Sequence, residues 1–139
     1  MDAQANAALV LETFSALNAG DLDGCLARMT PDFVMHYAEL PEPLHGTETW
    51  RQGAEMMMRA FPDLEVRIDD VVAAEDRVAL RLTLHGTHRG DFHLGEFENF
   101  PATGRQIQYV SHEFYRVSDG LLAEEWICSD TASLLRQLS

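Results

Sequence analysis

Two half-apolar runs, Val110 to Val117 and Leu121 to Cys128, flank the triplet Ser118-Asp119-Gly120. An Asp-Gly pair between such runs is a strong short-range signal for a β-hairpin, because its two residues accept the positive φ that a tight turn needs. This hairpin constrains the rest of the chain, since it carries His112, Glu113, Glu124, Glu125 and Trp126. Polar groups that dense on strands need either water or a cavity, because a buried charge must be paired or neutralised. The hairpin is therefore expected to form one wall of a small-molecule cavity. A two-residue Asp119-Gly120 loop pairs Glu113 with Trp126, and a three-residue loop with Gly120 in a bulge pairs it with Glu125. His112 and Glu113 point to opposite faces of their strand, so only one of them can line the cavity.

The remaining elements follow from periodicity. Val10, Phe14 and Leu17, with Leu11 widening the stripe, predict a helix over residues 3 to about 18 that Gly20 ends. Asp21 caps a second short helix, about 21 to 29, that Pro31 ends. Phe33, Met35 and Tyr37 alternate with Val34 and His36 in a short strand over 33 to 37. Thr47 caps a third helix, about 48 to 60, with Trp50, Ala54, Met57 and Met58 on one side. That stripe serves either as plain core packing or as an adaptable lid over a pocket, since Met deforms easily around varied ligands. Residues 64 to 73 and 78 to 87 form strands, the second with a clean period of two. An irregular stretch over 89 to 104 holds Phe92, Phe97 and Phe100, which can close over a cavity. Residues 106 to 117 and 121 to 128 are the hairpin strands, and Asp130 or Ser129 caps a last helix with Leu134, Leu135 and Leu138. Helices first and mostly hairpin-linked strands after predict an α+β fold, with helices on one face of a curved, mostly antiparallel sheet. The hollow left at its open end suits a ligand.

At 139 residues the chain is expected to form one domain, residues 1 to 139. Its formal charge of −13, with all ten basic residues arginine, argues against nucleic acid and anionic membranes as partners. No apolar run approaches the roughly eighteen residues of a membrane span. The N-terminus lacks the pattern of a secretory signal, and Cys25 and Cys128 read as two buried thiols, so a cytoplasmic location is expected. His85, His88 and His93 lack a completing carboxylate spacing, and no metal site is expected.

Phe61-Pro-Asp-Leu64, Gly86-Thr-His-Arg-Gly90, Pro101-Ala-Thr-Gly-Arg105, Asp119-Gly120, Glu125-Trp126, Asp130 and Leu134-Leu-Arg-Gln-Leu138 occur in that order. Together they resemble the SnoaL-like polyketide cyclase family, of the nuclear transport factor 2-like superfamily. The segment Ala16 to Gly24 also looks like its counterpart in ketosteroid isomerases, which share the fold. The resemblance covers nearly the whole chain. It implies a cone-shaped barrel in which about three N-terminal helices pack on the concave face of a strongly curved sheet, with a short C-terminal helix. It also implies a homodimer formed through the sheet's outer face, although Arg81, Thr83 and Arg116 make that surface polar. The family cyclases work without metal or organic cofactor. The family is functionally mixed, so the fold alone does not fix the chemistry.

The resemblance puts His36 at the position of the isomerases' base, where a neutral imidazole can take a proton from carbon next to a carbonyl. Glu113 matches their oxyanion-stabilising acid, a role that requires a protonated carboxyl. Asp130 is a third catalytic candidate, with helix capping as its other role. Thr13 stands where the isomerases carry a ketone-polarising tyrosine, and Ile127 where the cyclases carry an acid/base aspartate. Thr13, Trp50, Met57, Phe92 and Trp126 are expected to contact the ligand, a small hydrophobic carbonyl compound. Two functions follow as expectations. One is a cofactor-independent lyase or isomerase working through an enolate, with His36 as base and Glu113 holding the oxyanion. The other is a binding domain of the same fold without turnover, which Ile127 and Thr13 favour.

Overall fold

The computed structural model describes residues 2–93 and 99–139. Helix α1 spans Ala3–Asn18, α2 Leu22–Leu26, α3 Thr47–Ala60 and α4 Thr131–Leu138. Strands run β1 Met29–Tyr37, β2 Leu44–His45, β3 Glu65–Ala74, β4 Arg77–Thr87, β5 Phe92–His93, β6 Asn99–Phe100, β7 Gln106–Ser118 and β8 Leu121–Ser129. Six of them form one sheet in the order β2-β1-β8-β7-β4-β3, and β5 pairs with β6 apart from it. Within the sheet β1 and β8 run parallel, and the other neighbours are antiparallel. The expected α+β class with a curved sheet is what the chain adopts. The sheet is open, with β2 and β3 as its edges, so the expected barrel does not close. Among the described residues no helix is long and apolar enough to cross a membrane.

Helix α1 starts where the Asp2 carboxylate accepts the Ala5 N–H at 2.7 Å. Its buried Asn6, Leu9, Val10 and Thr13 share one face, at spacings of three and four. Two side-chain amides fix how that face lies on the sheet. Asn18 donates to the Val66 carbonyl at 2.9 Å and accepts from the Val66 N–H at 2.8 Å. Asn6 donates to the Glu75 carbonyl at 3.0 Å, at the β3–β4 turn. The core beneath holds Phe33, Met35, Val66, Val78, Leu80, Leu82 and Leu122.

Some local expectations are revised. Pro31 does not simply end α2: β1 begins at Met29 and runs through it, with an irregular register between Met29 and Val34. Gly46 rather than Thr47 occupies the N-cap of α3, with φ of 95°. Cys25 is buried, but Cys128 is exposed on the outer face of β8, because its strand parity points it away from the core.

The segments that carry the family resemblance meet in space. The Asp63 carboxylate accepts the Thr87 N–H at 2.6 Å and the Thr87 hydroxyl at 2.7 Å. Arg89 and Gly90 donate backbone N–H groups to the Ala60 carbonyl at 2.9 and 3.2 Å. A Cβ at Gly90 would lie 2.2 Å from the Arg59 carbonyl oxygen, so only glycine permits this approach. The Thr103 N–H donates to His88 Nδ1 at 3.2 Å, and Arg105 donates to the Gln137 carbonyl at 3.1 Å. These motifs lock α3 and α4 to the end of the sheet.

Candidate functional site

The turn at the centre of the hairpin has two residues, Asp119 (φ 49°) and Gly120 (φ 76°), with Ser118 facing Leu121. Neither anticipated register results. Val117 faces Leu122 but Arg116 faces Glu124, so Ala123 is an extra residue in β8, a β-bulge. Beyond it Tyr115 faces Glu125, Phe114 faces Trp126 and Glu113 faces Ile127. The bulge reverses the parity of β8. Leu122 and Glu125 both point inward, while Glu124, Trp126 and Cys128 join the outer face.

The inner face closes around a cavity of about 380 Å³. Its walls are mostly apolar and include Met29, Met35, Met56, Met57 and Met58. Thr13 and Phe14 of α1, Trp50 of α3 and Phe92 of β5 also line it. Polar groups concentrate on the sheet side, at Tyr37, Tyr109, Glu113, Tyr115, Glu125 and Ser129, with Glu39 just beyond β1. His93 also lines the cavity, and among the described residues no arginine does.

Glu113 and Glu125 are the chemically distinctive pair, 6% and 2% exposed. Glu125 sits opposite Tyr115, two residues from Ile127, which makes the two glutamates diagonal neighbours across the strands. Glu113 Oε1 accepts the Tyr115 hydroxyl at 2.7 Å, and its Oε2 accepts the Ser111 hydroxyl at 2.8 Å. Ser111 Oγ also lies 2.9 Å from Ser129 Oγ. Glu125 Oε1 is buried without a hydrogen-bond partner among the described residues.

These surroundings separate the two carboxyls. Burial raises the Glu113 pKa, against the two hydrogen bonds that lower it. Burial, and then the neighbouring Glu113 charge, push Glu125 up to about 8, and Tyr115 opposes the rise. Burial and the glutamates also raise Tyr37, Tyr109 and Tyr115, so all three phenols stay protonated at neutral pH. The site therefore offers a carboxyl with donors on both oxygens beside a more strongly raised carboxyl whose Oε1 has no partner among the described residues.

Of the residues singled out from sequence, the structure brings Thr13, Trp50, Met57, Phe92 and Glu113 to this cavity. The Thr13 hydroxyl is spent within α1, donating to the Leu9 carbonyl at 2.8 Å. Three other candidates lie away from this cavity. His36 lies on the outer face of β1, its Nε2 2.6 Å from Glu124 Oε2, with its ring stacked on Trp126 at 5.1 Å. Trp126 is on that face too, with the Arg77 guanidinium 5.1 Å from its ring centre. Asp130 caps α4, accepting the Ser133 N–H at 3.1 Å, and is not among the lining residues. Phe97 lies outside the described residues. Sequence reasoning missed Tyr37, Tyr109 and Tyr115 as cavity groups, and it left the facing of Glu125 open because the register was open. His85, His88 and His93 do not converge: His85 is 3.8 Å from Glu65, His88 is bonded to Thr103, and His93 lines the cavity. Among the described residues no three His, Cys, Asp or Glu side chains group as a metal site.

A family model described as SnoaL-like polyketide cyclase matches residues 8–138. AclR from Streptomyces galilaeus, a candidate hydroxylase, is 32% identical, with a TM-score of 0.81 over 96% of this chain and 80% of that one. IdmH from Streptomyces antibioticus, a candidate polyketide cyclase, is 31% identical, with a TM-score of 0.79 over 96% of this chain and 97% of that one. A SnoaL-like protein from Jannaschia sp. CCS1 superposes with a TM-score of 0.87 at 24% identity, over 99% of this chain and 93% of that one, which shows a shared fold. No curated protein matches the chain.

Proposed function

The chain belongs to the SnoaL-like polyketide cyclase family, and from that premise we propose that it is a cyclase-like or isomerase-like enzyme acting through an enolate. The ligand is a small hydrophobic carbonyl compound held in the Met-rich cavity. The single observation that carries this reading is the buried Glu113–Glu125 pair at the cavity wall, whose environments differ. Two carboxyls held apart in acidity are a ready assignment of base and acid. Glu113, with donors on both oxygens, is the carboxylate that takes a proton from carbon next to the carbonyl. Glu125 is the acid, and its unpartnered Oε1 presents a proton to the carbonyl oxygen as negative charge develops there. The C–H electron pair moves into the new C=C bond, and the carbonyl π pair moves onto oxygen. The resulting enol or enolate then attacks a second carbonyl in a cyclase, or is reprotonated at another carbon in an isomerase. His36 takes no part, because it faces away from the cavity.

The test is turnover on a panel of cyclisable polyketide esters and β,γ-unsaturated ketones. Wild type and His36→Ala are expected to be equally active. Activity lost in a folded His36→Ala protein would overturn the assignment. The binding-domain reading has one observation in its favour, the cavity-lining Ile127 where the family cyclases resembled here carry an aspartate. Ligands recovered unchanged from every incubation, with thermal stabilisation of the protein, would establish that reading instead.

The same reading includes a homodimer formed through the outer face of the sheet. Val72, Val110 and Phe114 on that face are 65%, 42% and 51% exposed. Fully burying such a side chain is worth about 1.5–3 kcal/mol. Phe114→Asp is expected to convert a dimer to a monomer in light scattering without lowering the cavity's ligand affinity. A wild-type monomer at all concentrations would rule the dimer out.

A further inference from the structure

We infer that Ser111 is the positioning residue that decides which of the two buried carboxyls is the base. The inference rests, for its catalytic meaning, on the acid/base reading above. Tyr115 cannot make the choice alone, since its hydroxyl donates to Glu113 and also faces Glu125 from the opposite strand. Ser111 is different. It is fully buried, it is not a cavity-lining residue, and its hydroxyl proton is committed to Glu113 Oε2 at 2.8 Å. A hydroxyl has one proton, so in the 2.9 Å contact with Ser129 it is Ser129 that donates and Ser111 that accepts. The Ser129 proton thereby fixes the direction of the Ser111 hydroxyl. Donors aimed at a carboxyl stabilise its charged form. Glu113 has one donor that Glu125 does not share, and Glu125 keeps an oxygen with none.

The other groups facing the pair do not supply this bias. Tyr37 on β1, Glu39 beyond it, Tyr109 on β7 and His93 on β5 line the same cavity. None of them is hydrogen-bonded to either carboxyl within 3.5 Å among the described residues, and no arginine lines the cavity. Glu39 is occupied by the Thr131 hydroxyl. Without the Ser111 hydroxyl the two glutamates compete for one shared donor, and the negative charge is no longer held on Glu113. Ser111 thus acts on the reaction through Glu113, without touching the ligand.

The experiment is carboxyl-carbon NMR titration of ligand-free protein, with Glu113 assigned by comparison with Glu113→Gln. In Ser111→Ala the Glu113 midpoint is expected to rise by at least about one pH unit, a tenfold change in its ionisation constant. Ser111→Thr, which keeps a hydroxyl, restores the wild-type midpoint. The acid limb of kcat/KM moves in parallel with it. Should Ser111→Ala not fold, Ser129→Ala frees the Ser111 hydroxyl to turn, and a smaller rise in the same direction is expected. A Glu113 midpoint unmoved in the folded variant overturns the inference. A shifted midpoint in a protein that turns over no ketone overturns the enzyme reading and leaves the role of Ser111 standing.

Discussion

Glu113→Gln is expected to lower kcat on an accepted ketone substrate by about 10²–10⁴-fold, the usual contribution of one positioned base. The amide matches the carboxylate in shape, so the cavity and its apolar contacts persist and KM changes little. Glu125→Gln is expected to lose less, because an amide N–H can still donate to a developing oxyanion although it cannot deliver a proton. The contrast between the two variants carries the information. A base that is lost removes the step, and an acid replaced by a donor weakens it. Equal and modest losses in both would mean that the carboxyls only shape the cavity. Steady-state kinetics of the two variants beside wild type, at matched pH, separates these outcomes.

The second large effect concerns stability. An unfolded glutamate titrates near 4.5, whereas Glu125 in the folded chain titrates at about 8, because burial and the Glu113 charge disfavour its ionised form. Between those values the native state binds more protons than the unfolded state, so unfolding free energy falls as pH rises. The stabilising difference is fully present below about 4.5 and is lost through about 8, above which the curve flattens. Each pH unit within that window costs about 1.4 kcal/mol for a fully shifted group. For a chain of this size that is roughly 4 °C of melting temperature per unit. Glu125→Gln removes the burden by making the group permanently neutral. It is expected to melt near wild type at pH 5 and well above it at pH 9. Parallel melting curves across that range would contradict the placement of Glu125.

The path from sequence to structure was clear where one local rule decides. The Asp119-Gly120 turn, the Val10-Phe14-Leu17 stripe of α1 (though Leu11, expected to widen it, is exposed), the period of two in β4 and the Asp130 cap are each settled by a few neighbouring residues. The Ala123 bulge was not, because Ala-Glu-Glu-Trp reads equally well in either parity. A signal was present nonetheless. Leu122 and Ile127 are both apolar and five residues apart, an odd spacing that puts them on one face only if the strand carries an extra residue. Once that residue is placed, Glu125 must point inward and Trp126 outward.

His36 teaches the complementary lesson. The alternation of Phe33, Met35 and Tyr37 already put His36 on the opposite side of β1 from the core. Family resemblance assigned it a catalytic position, whereas the pleat of its own strand puts its side chain on the outer face, away from the cavity. His36 bonds Glu124, which also accepts Arg116 Nε at 3.0 Å, and it covers Trp126. The tyrosines were illegible for another reason. Tyr37, Tyr109 and Tyr115 come from two strands separated by β8, and only the sheet order brings their hydroxyls to one cavity.

The most direct test of the Glu113–Glu125 site is an infrared titration of the carboxylic-acid C=O stretch in ligand-free wild type and Glu125→Gln. A protonated carboxyl is expected in wild type at pH 7, disappearing as pH rises through about 8. The carboxyl that titrates through about 8 is expected to be missing from Glu125→Gln. A wild-type protein with no protonated carboxyl at pH 7 would contradict the account.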